Sequence, residues 1–363
     1  MNKLFKSPWL EMNVMLLILI VSYIGLALVG WSAETPPGGM GGATIFGYLF
    51  GFFFLSFAIA LVAVIGGIGG GVLFTPFMLA FTSVDSLIIR ATGLIVAMFS
   101  GLISTGTFMR TGLGNLKVCI WCAAAYGVGA FSGAQGAIFV AEKMGPAGEG
   151  VVRMALGVIL ASLGIYFIVG GQKIEWPEVK KVDNFTKKLN MGQPYYEASL
   201  GKVIDYPLTR AGWILGAIIG VGLLSGFFGL GAGWAIVPAQ NLIMAVPLKV
   251  AAANSGILLG MGDCIAVWPY LLKGAIIPLF AAPWLVGQVL GGLLGALILV
   301  KIKAGFVRFL LIGFMFFACF GLLTKGLFML KVIGPVPVWV TGVVFVAVFS
   351  WVIMKIIQFS KPE

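Results

Sequence analysis

Twelve apolar segments alternate with polar stretches along the chain, near residues 12–31, 44–65, 72–82, 91–109, 118–140, 154–171, 211–228, 234–246, 251–272, 275–299, 309–325 and 336–357. All but two are long enough to cross a hydrocarbon core of about 30 Å as an α-helix. The runs are continuous rather than alternating, which argues for helices and against a transmembrane barrel. The two short segments, 72–82 and 234–246, each follow a cluster of glycines. The one long polar stretch, 172–210, divides the chain into two similar halves.

The glycine clusters are a repeat. "GGIGGGVLFTP" (66–76) returns as "FGLGAGWAIVP" (228–238), so that Gly67, Gly69, Gly71 and Pro76 fall on Gly229, Gly231, Gly233 and Pro238 at a constant offset of 162. "RATGLI" (90–95) falls on "AANSGI" (252–257) at the same offset, pairing Thr92 with Asn254. Further on, "LGNL" (113–116) aligns with "KGAI" (273–276) after a two-residue deletion, and "VVRMAL" (151–156) with "FVRFLL" (306–311), pairing Arg153 with Arg308. Each half therefore holds a glycine-broken pair of segments followed by three spans. The expected fold is all-α: a polytopic membrane protein of two repeats, 44–171 and 211–326. An anchor span and outer loop (1–43) precede them, an inter-repeat loop (172–210) joins them, and an extra span and tail (327–363) follow. Trp31 would occupy the −3 position of a signal cleavage site, where small residues are required, so the first span is expected to stay uncleaved.

Composition agrees. The chain is 60% hydrophobic and 10% charged, against about 25% charged in soluble domains. Its net charge is +11. No basic stripe with interleaved aromatics accompanies that excess, so no nucleic-acid partner is expected. Lysine and arginine gather instead in cytoplasmic loops of membrane proteins. If each glycine-broken pair crossed the membrane once, the 23 cations would divide 11 inside and 12 outside. If each pair is a re-entrant hairpin, 17 lie inside and 6 outside. The second arrangement leaves three full spans per repeat, an odd number, so the repeats are inverted. Both termini are then cytoplasmic, and the protein is a multi-pass protein of the cell (inner) membrane. Trp9, Trp31, Trp339 and Trp351 near segment ends suit an aromatic belt.

A helix break at membrane depth leaves backbone groups unpaired, and it is tolerated only where protein or a polar cavity receives it. The half-helices starting near Val72 and Trp234 would aim free N–H groups and a positive dipole end at that cavity, which suits an anion. Tight packing of small residues is the competing reading. It explains glycines spaced four apart better than the run Gly69, Gly70, Gly71.

These paired motifs resemble the duplicated signature of the TauE/SafE sulfite exporter family, over roughly residues 48–326. The resemblance implies transport of small sulfur-containing anions such as sulfite, sulfonates or thiosulfate. Carried across residue by residue, it implies a substrate-binding set of Gly67, Gly69, Gly70, Gly71, Thr92, Gly229, Gly231, Gly233 and Asn254. The added terminal spans and the long central loop depart from the common pattern.

Other polar residues fall inside spans. Asp263 sits mid-span in "LLGMGDCIAVW", where an ionisable residue is a functional candidate by default; it is the candidate to carry a coupling proton, and a structural carboxyl is the alternative. Its counterpart is Gly101. Gln135 and Gln288 could donate to an anion or join helices. Ser100, Ser104, Thr105 and Thr107 line a pathway or bond to their own backbone. Thr92 and Asn254 read as helix N-caps that would also edge the cavity. Arg110, Lys117, Arg153 and Arg308 anchor at the interface or draw anions to the mouth.

Cys119, Cys122, Cys264 and Cys319 all lie in apolar segments. Cys119-x-x-Cys122 has redox spacing without a thioredoxin-like context, and packing is the expected role. The chain contains no histidine, which removes His-based haem, zinc and proton-relay sites; no metal and no cofactor are expected. Convergent nucleophiles, paired intramembrane carboxylates and a Walker motif are also missing, so the chain reads as no enzyme and no ATP-driven pump. The expectation is a secondary transporter of a small anion. The alternatives are an anion channel with the same glycine-lined cradle, or a non-catalytic membrane subunit.

Overall fold

The computed structural model describes residues 41–66, 69–81, 84–143, 145–170, 175–179, 181–197, 200–302 and 304–360, with scattered positions between 13 and 28. Most of the N-terminal anchor, its outer loop, and Gly67 lie outside the described residues. The chain runs through α1 (Gly42–Ile65), α2 (Gly71–Phe81), α3 (Ser86–Arg110), α4 (Leu116–Lys143) and α5 (Gly145–Gly170). A short α6 (Asn184–Leu189) and an antiparallel hairpin, β1 (Tyr195–Glu197) and β2 (Lys202–Ile204), follow. The second half contains α7 (Trp213–Phe228), α8 (Gly233–Met244), α9 (Leu248–Leu272), α10 (Pro278–Lys301) and α11 (Ala304–Met329), and α12 (Val338–Ser360) closes the described chain. Eight of these helices are long and apolar enough to cross a membrane. The two helices flanking the first glycine break are unequal: α1 is 24 residues long and α2 only 11.

Element boundaries follow local chemistry. Asp85 starts α3 by accepting from the Leu87 and Ile88 N–H groups, as an N-cap carboxylate does. Gly229 ends α7 in the left-handed conformation, with φ 64°. The helices after each break keep the offset of 162 at both ends, α3 against α9 and, at its start, α4 against α10. The two-residue deletion expected between "LGNL" and "KGAI" is therefore absent: the connecting turns are of equal length, and the shifted match is local.

Glycine seams set the packing. On α4, a side chain at Gly129 or Gly133 would strike the Ile219 and Leu223 carbonyls of α7. At the positions 162 later, Gly291 and Gly295 of α10 meet the Phe57 and Leu61 carbonyls of α1. Residue numbers rise together along both seams, so each pair is parallel. Two other seams run the opposite way. Gly260 of α9 lies against Leu102 of α3, and Gly256 against Ser104. Gly150 of α5 lies against Gly326 of α11, Gly157 against Leu323 and Gly164 against Phe316. The equivalent pairs α3 and α9, and α5 and α11, are thus antiparallel. Phe314 against Phe349 and Phe317 against Phe345 turn α12 back along α11. Following these directions through the chain, the segment between α5 and α7 emerges on the same face as the C-terminal end of α12.

That segment is folded onto the bundle. Asp183 caps α6 and also accepts from the Arg210 N–H at 2.6 Å; the Thr186 hydroxyl, above all, holds its carboxyl well below the usual carboxylate range. Asn115, at the start of α4, donates to Met191 O at 2.8 Å and to the Tyr206 hydroxyl at 3.1 Å. Glu197 on β1 pairs with Lys249 on α9 at 2.7 Å, with side-chain exposures of 0% and 1%. Lys249 also donates to Val300 O at 2.9 Å. Removing one partner of a buried pair strands the other charge, at a cost of about 3–5 kcal/mol, whereas an apolar pair of similar volume is close to neutral. Glu197→Ala is accordingly expected to lower the melting temperature in detergent sharply, and Glu197→Leu combined with Lys249→Met to recover most of that loss. A double variant no more stable than the single one would contradict this packing.

Candidate functional site

The two glycine breaks meet. Gly69, Gly229 and Gly231 all take positive φ, at 77°, 64° and 70°, a region open to glycine at no steric cost. Between the halves there is no room for a side chain. A Cβ on Gly71 would lie 2.5 Å from both Gly93 O and Leu230 O, and one on Gly231 would lie 2.6 Å from the Ala97 Cβ. Thr75, one turn into α2, donates to Gly229 O at 2.6 Å and so ties the first short helix to the second break. Gly233 is the first residue of α8. The N-terminal ends of α2 and α8, from opposite halves, thus share one buried junction.

Polar side chains converge on each break. At the first, the Gly70 N–H donates to Ser100 Oγ at 3.2 Å. Gln288 of α10 lies against Gly70; its Nε2 donates to Ser56 O and contacts Ser56 Oγ, both at 3.2 Å. Ser56 in turn donates to Trp284 O. At the second, Tyr126 of α4 donates to Asp263 Oδ1 at 2.6 Å, and Ser225 of α7 to the same oxygen at 3.2 Å. The Ala232 backbone also hydrogen-bonds to the Tyr126 hydroxyl. Tyr126 and Gln288 are 162 residues apart and are equivalent in the α4–α7 and α10–α1 seams, so each break receives a polar group from the same position of the other half.

Several buried atoms around the junction have no partner: Thr92 Oγ1, Trp234 Nε1, Asp263 Oδ2, Trp284 Nε1 and Gln288 Oε1. Each unsatisfied buried group costs about 1–3 kcal/mol, and such a concentration requires a reason. A cavity of about 10 Å³, lined by Gly69, Ser100, Ser104, Gly256 and Leu259 among others, lies beside the first break. It has room for about one water molecule. A much larger cavity, about 500 Å³, lies between α1, α2, α11 and α12; its lining is almost wholly apolar and it holds none of these groups.

The remaining sequence candidates separate. Thr92 and Asn254 are the seventh residues of α3 and α9 rather than N-caps, because Asp85 and Pro247 hold the cap positions. Asn254 is fully engaged: Oδ1 accepts the Asn115 N–H at 2.7 Å and Nδ2 donates to Gln240 at 3.0 Å. Gln135 is exposed, on the outside of the bundle. Ser104 and Thr105 bond back to Gly101 O. Arg153 is buried rather than anchored at an interface; Glu149 lies between it and Arg90, at 3.1 and 3.2 Å. The four cysteines are free. Among the described residues no group of three or more His, Cys, Asp or Glu could hold a metal ion. Tyr126 and Ser225 escape a reading by sequence, although Tyr126 stands at the repeat offset from Gln288.

Helices, seams and junction together define a multi-pass membrane protein built around two broken helices that meet at its centre. The model of the family described as sulfite exporter TauE/SafE matches residues 52–322, and the chain belongs to that family, one of membrane transporters. The chain is also 26% identical over 242 residues to the probable membrane transporter protein YunE of Bacillus subtilis (strain 168), covering 64% of this chain and 81% of that protein. No solved structure matches.

Because Gly231 combines positive φ with a blocked Cβ position, Gly231→Ala is expected to lower the melting temperature measurably; the left-handed conformation alone costs a non-glycine residue about 1–2 kcal/mol. Gly216→Ala, where a Cβ meets nothing within 4 Å, is the control and should leave stability unchanged or slightly raised. Equal effects would contradict the junction geometry.

Proposed function

We propose that the protein is a secondary transporter of a small anion, a sulfur oxyanion or organosulfonate, held between the two breaks. The observation that carries this reading is the meeting of two half-helix N-termini around buried, unpartnered polar atoms. Broken helices meeting near the midplane of inverted repeats are the usual build of secondary transporters. The antiparallel course of α3 against α9 and of α5 against α11 supports inverted repeats. The distribution of cations, 17 to 6, supports cytoplasmic termini in the cell membrane, with the inter-repeat segment on the cytoplasmic face.

In this reading the backbone of Gly69, Gly70, Gly71, Gly229, Gly231 and Gly233 shapes the cradle. Thr92 contributes its unpartnered hydroxyl, and Asn254 acts indirectly, by clasping α4 and α8. Asp263 is the coupling group: its Oδ2 lies 3.5 Å from where a Gly231 Cβ would stand, so a proton there is felt at the break. Transport rather than a channel is supported by the small cavity beside the first break and by the buried ion pairs to either side of the junction. The cavity at the junction is too small for an anion, and buried ion pairs lie to either side, Arg90–Glu149–Arg153 toward one face and Glu197–Lys249 toward the other.

The test is sulfite flux into proteoliposomes containing the purified protein. Saturable uptake that responds to an imposed pH gradient is expected, and Asp263→Asn should abolish the response to the gradient. An unchanged response in the variant would reduce Asp263 to a structural role. Absence of flux for sulfite, thiosulfate and short sulfonates alike would remove the substrate class.

A further inference from the structure

The polar groups at the first break are not those of a simple anion cradle. Gln288 is fully buried, and the orientation of its amide is dictated by its neighbours. Its Nε2 stands 3.2 Å from Ser56 O, an atom that can only accept. Turning the amide over would set two carbonyl oxygens against each other, and the Ser56 hydroxyl could not repair this because it already donates to Trp284 O. The amide oxygen therefore faces the break. The three heavy atoms nearest to a Cβ on Gly70 all belong to this amide, with Oε1 the closest. Oε1 has no partner. The first break is thus presented with a buried acceptor that lacks a donor, at the N-terminal end of a helix whose own groups are donors.

The second break repeats the pattern. Asp263 keeps Oδ1 for Tyr126 and Ser225, and its unpartnered Oδ2 lies toward Gly231. Trp234, in the first turn of α8, supplies an unpartnered indole N–H. The junction therefore offers donors and unsatisfied acceptors together. An anion whose atoms are all acceptors would satisfy the Trp234 indole N–H and set its lone pairs against Gln288 Oε1. A ligand that carries one negative charge and one hydrogen-bond donor would satisfy both.

We infer that the site selects a monoprotonated oxyanion, an anion bearing its own O–H, with Gln288 as the residue that reads the proton. This rests on the transport reading above and narrows its substrate. Specificity arises because a site built around a hydrogen bond rejects the analogue that cannot make it, leaving a buried polar group unpaired.

Two ions of the same shape and charge isolate that bond. The methylphosphonate monoanion carries a P–OH; methanesulfonate has the same methyl group and tetrahedral oxygens but no donor. Both are applied as competitors of sulfite flux into proteoliposomes, at one mildly acidic pH where both are monoanions, so that any proton coupling is common to the two. Methylphosphonate is expected to compete at least about tenfold better. Gln288→Met, which keeps the volume and removes the acceptor, should bring the two within about twofold of each other. Equal competition in the unaltered protein overturns the inference while flux itself upholds the transport reading, and this ratio decides the matter even if the variant does not fold. Discrimination that survives Gln288→Met overturns the role of Gln288. Absence of flux overturns both readings together.

Discussion

Everything in this structure depends on what a broken helix must do with its backbone inside a membrane. Lipid offers no hydrogen bonds, so each N–H and C=O released by a break must be received by protein or by a polar site. The chain meets that constraint by making the same break twice and setting the two against each other. Gly229 O is taken by Thr75, the Gly70 N–H by Ser100, and the Ala232 backbone by Tyr126. Glycine is required because a Cβ would strike the Leu230 carbonyl at Gly71 and the Ala97 methyl at Gly231. The long helices follow from this. The seams of α4 with α7 and of α10 with α1 bring the donors and acceptors of one half to the break of the other.

The two halves share a frame and differ in chemistry. Tyr126 and Gln288 occupy equivalent positions, yet one serves a carboxylate and the other ends in an unpartnered amide oxygen. Asp263 corresponds to Gly101, where no side chain fits. Buried charge is asymmetric as well: Arg90, Glu149 and Arg153 lie toward one face, and Glu197 and Lys249 toward the other. Buried ion pairs are weak contributors to stability and are more readily understood as devices that fix one arrangement against another. Their placement on opposite sides of the junction suits a protein that closes each face in turn.

Much of this frame was legible in the sequence, because the bilayer dictates segment lengths and because glycines that must sit at a break are repeated at a fixed interval. The short α2 and α8, the constant offset of 162 that carries the glycine–proline motif onto its copy and Thr92 onto Asn254, and the separation by 172–210 are all visible there. What was not legible depends on contacts between residues far apart in the chain. Tyr126 reaches Asp263 and Ser56 reaches Gln288 across 137 and 232 positions, and no local pattern announces them. Thr92 resembled an N-cap because Arg90 interrupts the apolar run, whereas Glu149 buries that arginine and lets α3 begin at Ser86. The polar stretch read only as an inter-repeat loop because the partner of Glu197, Lys249, lies in the next repeat.

The central claim is that one anion site lies where the two breaks meet. An experimental structure of the protein soaked in selenite, an electron-dense analogue of sulfite, tests it most directly. The account predicts a single selenium peak between the N-terminal ends of α2 and α8, within hydrogen-bonding reach of Gln288. Selenium bound beside Arg90 and Arg153, with the junction empty, would contradict it.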